Sequence, residues 1–565
     1  MRKYTLLLLI AVGTLNTWAA QRSEVTARQE AARFILRTAT AKGMPAQTDL
    51  RLVGTPSMPK LDLPAMYIYQ NGNNGYVIVS ARDEMEPILA YSNTGTFPID
   101  DMPTNLQWWL GYYAEQAEAL EQYPDLYTVH HTERTYQAVD TLITCWWGQD
   151  EPFNLKCPND ADGERSVTGC VATAAAQIMY HHQWPDKGEG SHSYQWSNSQ
   201  GESRTLTANF GQTTYRWKSM QDHYVGDYPQ PAATAVATLM SHAGISCDMH
   251  YTSYGSGAYS PLMLYALHHY FLYERSMRIV YLDYYRDSSF MNLIEHELNH
   301  NRPLYMGGAT KNNEGHAFVL DGIDEEGNLH INWGWNGKAN GYYQLRKLDP
   351  KEQGTGGSSM GYAFTYQVEI VTGIRPNQGW DQSTTIICDG LYTTKGEAKR
   401  NQDVTIYTDA LQNGGCDYEW EGRFGLLLYQ DDKVIKVLEE SDKQTMELYS
   451  ANYSGISFTH RFNDADLTPG TYRLGVGARY EDAEDWYGLL YENLGELRWD
   501  LIVTEDSVFL EVNYNDAPIV EREAEPTSVD AVESNTSTGV CKQIRNGELM
   551  IRRDDQWYDV WGNIR

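Results

Sequence analysis

The sequence predicts an α+β chain of several domains, and three observations carry that prediction. Helix and strand patterns alternate up to about residue 375. From about residue 380 only short strands remain, separated by turn residues. The mixed part itself divides into a small unit and a large one. With 565 residues the chain has length for roughly three or four domains and at least one large core.

The first 20 residues read as a secretory signal: "MRK" is basic, "YTLLLLIAVGTL" apolar, and "NTWAA" a small-residue exit. The apolar run is short for a bilayer span, and no other stretch approaches one. Residues 21–134 form a small α+β unit. "SEVTARQEAARFILRTATAKG" predicts a helix, with Ala31, Phe34 and Ile35 at helical spacing and Gly43 as its stop. "MYIYQNGNNGYVIVSA" predicts a hairpin and "TNLQWWLGYYAEQAEALEQY" a second helix. The segment 126–141 lacks periodicity and reads as a linker.

The large unit, 135–375, places helices first (170–182, 230–244 and 289–299) and an antiparallel sheet second, from "RPLYMGG", "HAFVLDGID", "LHINWGW" and "GYYQLR". Residues 380–515 predict a β-sandwich of immunoglobulin-like or fibronectin-like type. Residues 516–539 are a polar linker, and 540–565 predict one or two hairpins.

The chain carries 75 Asp and Glu against 44 Lys and Arg, a net charge of -31. Such an acidic surface argues against nucleic acid or anionic membrane as partner and favours an exported or surface protein. Seven widely spaced cysteines allow disulfides but leave one over. No C-x-x-C pair is present, so a structural zinc site has little support, and no metal or organic cofactor is implied.

The chemistry centres on "SVTGCVATAAAQIMYHHQWP". Cys170 stands on the first turn of an apolar helix, behind Gly169. On this helix alone it is a core thiol, half of a disulfide, a metal ligand or a nucleophile. A helix N-terminus and a nearby imidazolium lower a thiol's pKa, and backbone N–H groups there suit a developing oxyanion. The partner candidate is His316, which opens a strand after Gly315. Asn332, on the next strand, is expected beside His316, fixing its tautomer, with Trp333 and Trp335 keeping water away. Gln149, upstream of the cysteine, can donate to an oxyanion. The order Gln, Cys, His, Asn is that of papain-like enzymes. His181 and His182 close the helix and carry no assigned chemistry.

The motifs "WWGQDEPFN", "TGCVATAAAQIMYHHQWP", "GISCDMHYTSYGSG", "GHAFVLDGID", "HINWGWNG" and "GTGGSSMGY" resemble the streptopain and interpain family of secreted bacterial cysteine peptidases. "GYVIVSARDEMEPILAYSNTGTF" is similar to that family's inhibitory prosegment. The resemblance implies a papain-like catalytic domain made as a zymogen, acting on protein or peptide substrates and silenced by its own prodomain in cis. It implies Cys170 as nucleophile, His316 as base then acid, Gln149 in the oxyanion hole, and Asn332 or Trp333 orienting and shielding His316. It also implies preference for an apolar residue two positions before the cleaved bond. Gly354, Gly356 and Gly357 match the family's mobile active-site loop, and Asn105 lines up with the prosegment stretch that reaches the catalytic pair. The last residues, "YDVWGNIR", resemble loosely the sorting modules of type IX secretion cargo. Two other readings stand beside the peptidase: a Cys–His acyltransferase or transglutaminase, and an adhesin with an inert papain-like domain.

Overall fold

The first helix, α1 (Glu24–Ala41), forms where Ser23 accepts the Thr26 N–H at 3.2 Å, and it buries Ala27, Ala31 and Phe34 on one face. The computed structural model describes residues 21–41, 48–122, 127–128, 135–282, 287–310, 315–345, 349–350 and 366–377. In the C-terminal half it describes 386–388, 390–417, 419–430, 433–447, 451–452, 455–463, 467–490, 496–512, 541–545, 548–553 and 556–559. The expected signal at 1–20, the loop glycines Gly354, Gly356 and Gly357, Arg134 and the linker 516–539 lie outside the described residues.

Two compact units result. The first holds Met1–Met102, Leu106–Arg134 and Tyr343–Phe364; the second holds Pro103–Asn105, Thr135–Tyr342 and Thr365–Arg565. In the first unit α1 packs on an antiparallel sheet of β1 (Leu50–Gly54), β2 (Met66–Asn71), β3 (Tyr76–Ser80) and β4 (Ile88–Ser92). Strands β2 and β3 are buried along their whole length, the polar Gln70, Asn71 and Ser80 included. Helix α2 (Thr104–Gln122) buries Trp109, Tyr113, Ala117 and Leu120. The Tyr113 hydroxyl lies 2.8 Å from the Leu89 carbonyl and 2.6 Å from that of Gln344. Gln344 also donates its N–H to Leu89 at 2.7 Å. A later segment, with Tyr343 and Gln344, thus returns to this unit.

In the second unit α3 (Cys170–His182), α4 (Gln230–Ser246) and α5 (Ser260–His269) pack together around Ala175, Ile178, Leu239 and Met263. Helix α5 is missing from the sequence expectation. Helix α6 (Asp287–Asn299) and the expected antiparallel strands follow: Leu304–Thr310, Gly315–Ile323 and Leu329–Asn332. Tyr366–Thr372 pairs with Leu304–Thr310 and with Arg278–Tyr281. Beyond residue 385, strands such as Glu419–Gln430, Gly470–Tyr480 and Arg498–Val503 form one sheet, and Leu391–Thr393, Asp403–Thr408 and Ser457–Arg461 form another. They enclose Trp420, Leu426, Val404, Phe458 and Trp499 in a single core. Three strands, Cys541–Arg545, Glu548–Arg553 and Gln556–Asp559, pair antiparallel near the C-terminus. Among the described residues no helix is long and apolar enough to cross a membrane.

Candidate active site

Gly169 precedes α3 at φ 86°, a conformation that L side chains rarely adopt. A Cβ there would stand 2.6 Å from Met249 Sδ and 3.0 Å from the Ser256 carbonyl. No side chain caps the helix, so the first N–H groups of α3 stay available at the cysteine. Thr168 and Thr173 join hydroxyls at 2.8 Å, and Thr173 also bonds the Gly169 carbonyl at 2.9 Å. These bonds fix the turn from which Cys170 projects. The thiol is half-buried, and burial raises its pKa; the N–H groups of Ala317, Val171 and Cys170 oppose that shift.

The Ala317 contact brings the histidine strand to the sulfur. In that strand His316 pairs with Gly308, and Ala317 with Gly307. A Cβ on Gly307 would lie 2.3 Å from the His316 carbonyl, so only glycine lets the two strands approach here. His316 is half-buried, and burial lowers its pKa to about 4. A raised thiol and a lowered imidazole both favour the neutral form.

Gln149 is buried, and its carbonyl accepts the Thr168 N–H at 3.1 Å, which holds it next to the turn before Cys170. The preceding Trp147 accepts the Asn336 N–H on its carbonyl at 3.2 Å and packs against Tyr180 with tilted rings 4.6 Å apart.

The strand register pairs Asn332 with Val319. Its Nδ2 donates to the Cys145 carbonyl at 2.9 Å, and its Oδ1 accepts the Gly334 N–H at 3.1 Å. Both ends of the amide hold the backbone around the Trp-Gly-Trp turn. Trp333 is fully buried against Phe318 at 4.8 Å, and its indole donates to the Ala339 carbonyl at 3.1 Å. Trp335 is half-buried, with its indole N–H buried and unbonded among the described residues. Asn105, fully buried at the start of α2, donates from Nδ2 to the Trp333 carbonyl at 2.6 Å. His181 bonds the Leu142 and Asn301 carbonyls, and His182 bonds the Tyr273 hydroxyl, so both serve structure.

Two residues that sequence reasoning passed over complete the surroundings. Gln177 Oε1 accepts the Trp147 N–H at 3.4 Å and the Cys145 thiol at 3.7 Å. Its signal was a lone amide inside the apolar run "VATAAAQIM". Ala317 had none, because it acts through its backbone. Disulfides are also absent among the described cysteines: Cys145, Cys157, Cys170, Cys247, Cys388 and Cys416 are free, and only Cys170 is not buried.

A thiol at the bare start of a buried helix, held against a histidine strand, defines the class of thiol-dependent hydrolases. Residues 147–343 match the Peptidase C10 family, and residues 19–117 match the Spi protease inhibitor. The thiol protease/hemagglutinin PrtT of Porphyromonas gingivalis is 33% identical over 422 residues, covering 71% of this chain; the chain spans 47% of that relative's length. Streptopain of Streptococcus pyogenes is 31% identical over 371 residues, which is 63% of this chain and 92% of streptopain. A fragment of Prevotella intermedia prointerpain A is similar at 32% identity and a TM-score of 0.49, covering 58% of this chain and 98% of the fragment. The chain belongs to the Peptidase C10 family: it is a cysteine peptidase that carries its own inhibitor domain.

Proposed function

We propose that this chain is an exported zymogen whose mature form cleaves proteins internally through Cys170 and His316. His316 takes the thiol proton, and Cys170 Sγ bonds to the scissile carbonyl carbon. Gln149 and the Cys170 N–H receive the oxygen's developing charge. The imidazolium then returns its proton to the departing amine as the C–N bond breaks, leaving a thioester. Water, deprotonated by the same imidazole, releases the acid and restores the thiol. Trp333 and Trp335 shield the pair, and Gly354, Gly356 and Gly357 supply a loop that closes over substrate. An apolar residue two positions before the cleaved bond is the preferred ligand of the non-primed side. The N-terminal segment directs export, and residues 540–565 act in sorting.

The observation that supports this best is the Ala317 N–H towards the Cys170 sulfur, since Ala317 directly follows His316 on the same strand. The neutral thiol and imidazole suit a silent precursor, as does the Asn105 bond to Trp333. The test uses purified wild type, Cys170→Ala and His316→Ala with casein and a fluorogenic peptide. The variants are expected to stay full length and to release no peptide, while wild type sheds its N-terminal segment. Turnover near wild type in Cys170→Ala would refute the assignment. Incorporation of an added amine without peptide release would favour acyl transfer.

A further inference from the structure

The end of α5 carries a side-chain cluster apart from the cleavage site. His268 and His269 occupy its last turn, and Asp417 comes from the segment between the strands Leu411–Asn413 and Glu419–Gln430. One ligand atom from each of the three lies within 4.8 Å of the others. His269 Nε2 stands 3.7 Å from Asp417 Oδ1.

Each imidazole is tied through its other nitrogen. His268 Nδ1 lies 2.8 Å from the Tyr273 carbonyl, and His269 Nδ1 lies 3.1 Å from that of Tyr265. A carbonyl only accepts, so both Nδ1 atoms carry the proton and both Nε2 atoms offer a lone pair. Outer acceptors hold ligating histidines in this way at metal sites. The carboxylate is held likewise: Arg275 Nε donates to Asp417 Oδ2 at 2.6 Å, while Arg275 itself lies over the Tyr480 ring at 3.5 Å. Oδ1 is the oxygen on the His269 side. The helix dipole adds its negative end at the same point.

We propose that His268 Nε2, His269 Nε2 and Asp417 Oδ1 bind one zinc-like divalent transition metal, which ties the end of α5 to the β-sandwich. Two imidazoles and one carboxylate suit zinc, nickel or copper, whereas calcium and magnesium take oxygen shells. Zinc bonds of about 2.0–2.2 Å put tetrahedral ligand atoms about 3.4 Å apart. The His269–Asp417 pair is near that spacing already, and His268 needs the larger rotation. Water fills the open positions, since the His269 side chain is 33% exposed. The expectation of no metal rested on cysteine spacing. A site whose ligands come from two distant segments leaves no such spacing to read.

The precursor carrying Cys170→Ala avoids self-cleavage and removes the thiol that is not buried among the described free cysteines. Stripped with EDTA, dialysed and titrated with zinc chloride by calorimetry, it is expected to take up one equivalent with micromolar or tighter affinity. His269→Gln and Asp417→Asn should each weaken that uptake at least tenfold while melting like the parent in EDTA. A measurement without substitution accompanies this: zinc should protect peptide 265–273 from diethyl pyrocarbonate at least fivefold, read by mass spectrometry. No zinc uptake, uptake unchanged in both variants, or equal modification of that peptide with and without zinc would each overturn the proposal.

Discussion

Asn332→Ala separates orientation of His316 from support of the backbone. Asn332 is 1% exposed, and its amide makes two bonds, to the Cys145 carbonyl and from the Gly334 N–H. Truncation leaves both backbone groups buried without these partners. Each such loss costs about 1–3 kcal/mol, and we take about 3 kcal/mol for the pair because the emptied space lets them relax partly. For a domain of this size about 1 kcal/mol moves the melting midpoint by about 2–4 °C. In the Cys170→Ala precursor, Asn332→Ala should therefore lower the midpoint of thermal unfolding by roughly 6–12 °C. In the active enzyme, kcat per titrated thiol should fall less than tenfold, whereas His316→Ala should remove about 10²–10⁴ of the rate. Differential scanning calorimetry and active-site-titrated kinetics on the same preparations decide it. An unchanged midpoint with a hundredfold loss of kcat would refute the reasoning and return Asn332 to His316.

Three further outcomes are expected. His316 titrates at about 4 folded against an ordinary 6.5, so between those pH values the unfolded chain holds a proton that the folded chain lacks. The stability from this group is full above pH 6.5 and falls towards pH 4, by at most about 1.4 kcal/mol per pH unit. His182, His242 and His269 are lowered by burial too, so His316→Gln in the Cys170→Ala precursor should reduce the acid slope of urea stability without abolishing it; an unchanged slope would count against a buried neutral His316. Asn105→Ala in purified segment 21–134 should weaken its inhibition of the mature enzyme about fivefold to tenfold, the worth of one buried hydrogen bond; equal inhibition constants would show that the Trp333 contact contributes nothing. Gly169→Ala should give a precursor that neither self-processes nor reacts with iodoacetamide at the parent's rate, because its Cβ meets Met249 and Ser256; normal processing would refute the steric argument.

Features written within a few adjacent residues were legible in the sequence. A glycine, a cysteine and a run of small residues specify a helix that starts at the thiol and passes through a core, and α3 spans Cys170–His182 as expected. Register was not legible. Val319 pairs with Asn332, and a shift of one residue falls between Leu320 and Gly322. A one-residue irregularity of this kind has no periodic signature. The return of Tyr343 and Gln344 to the first unit and the meeting of His268 with Asp417 were hidden for a related reason, since each joins segments far apart in the chain.

The same geometry bears on how the catalytic pair becomes active under the proposed mechanism. Burial is what keeps both groups neutral, and ionising either alone in place would work against desolvation. Their mutual attraction offsets that cost only at contact distance. Cys170 has little freedom to provide the contact, because Gly169 and the threonine hydroxyls fix its turn. The His316 backbone is equally fixed by its close approach to Gly307. Asn105 grips the Trp333 carbonyl, and Trp333 packs on Phe318, two residues along the histidine strand. Under the proposed mechanism, loss of the N-terminal segment would release that grip beside the histidine strand.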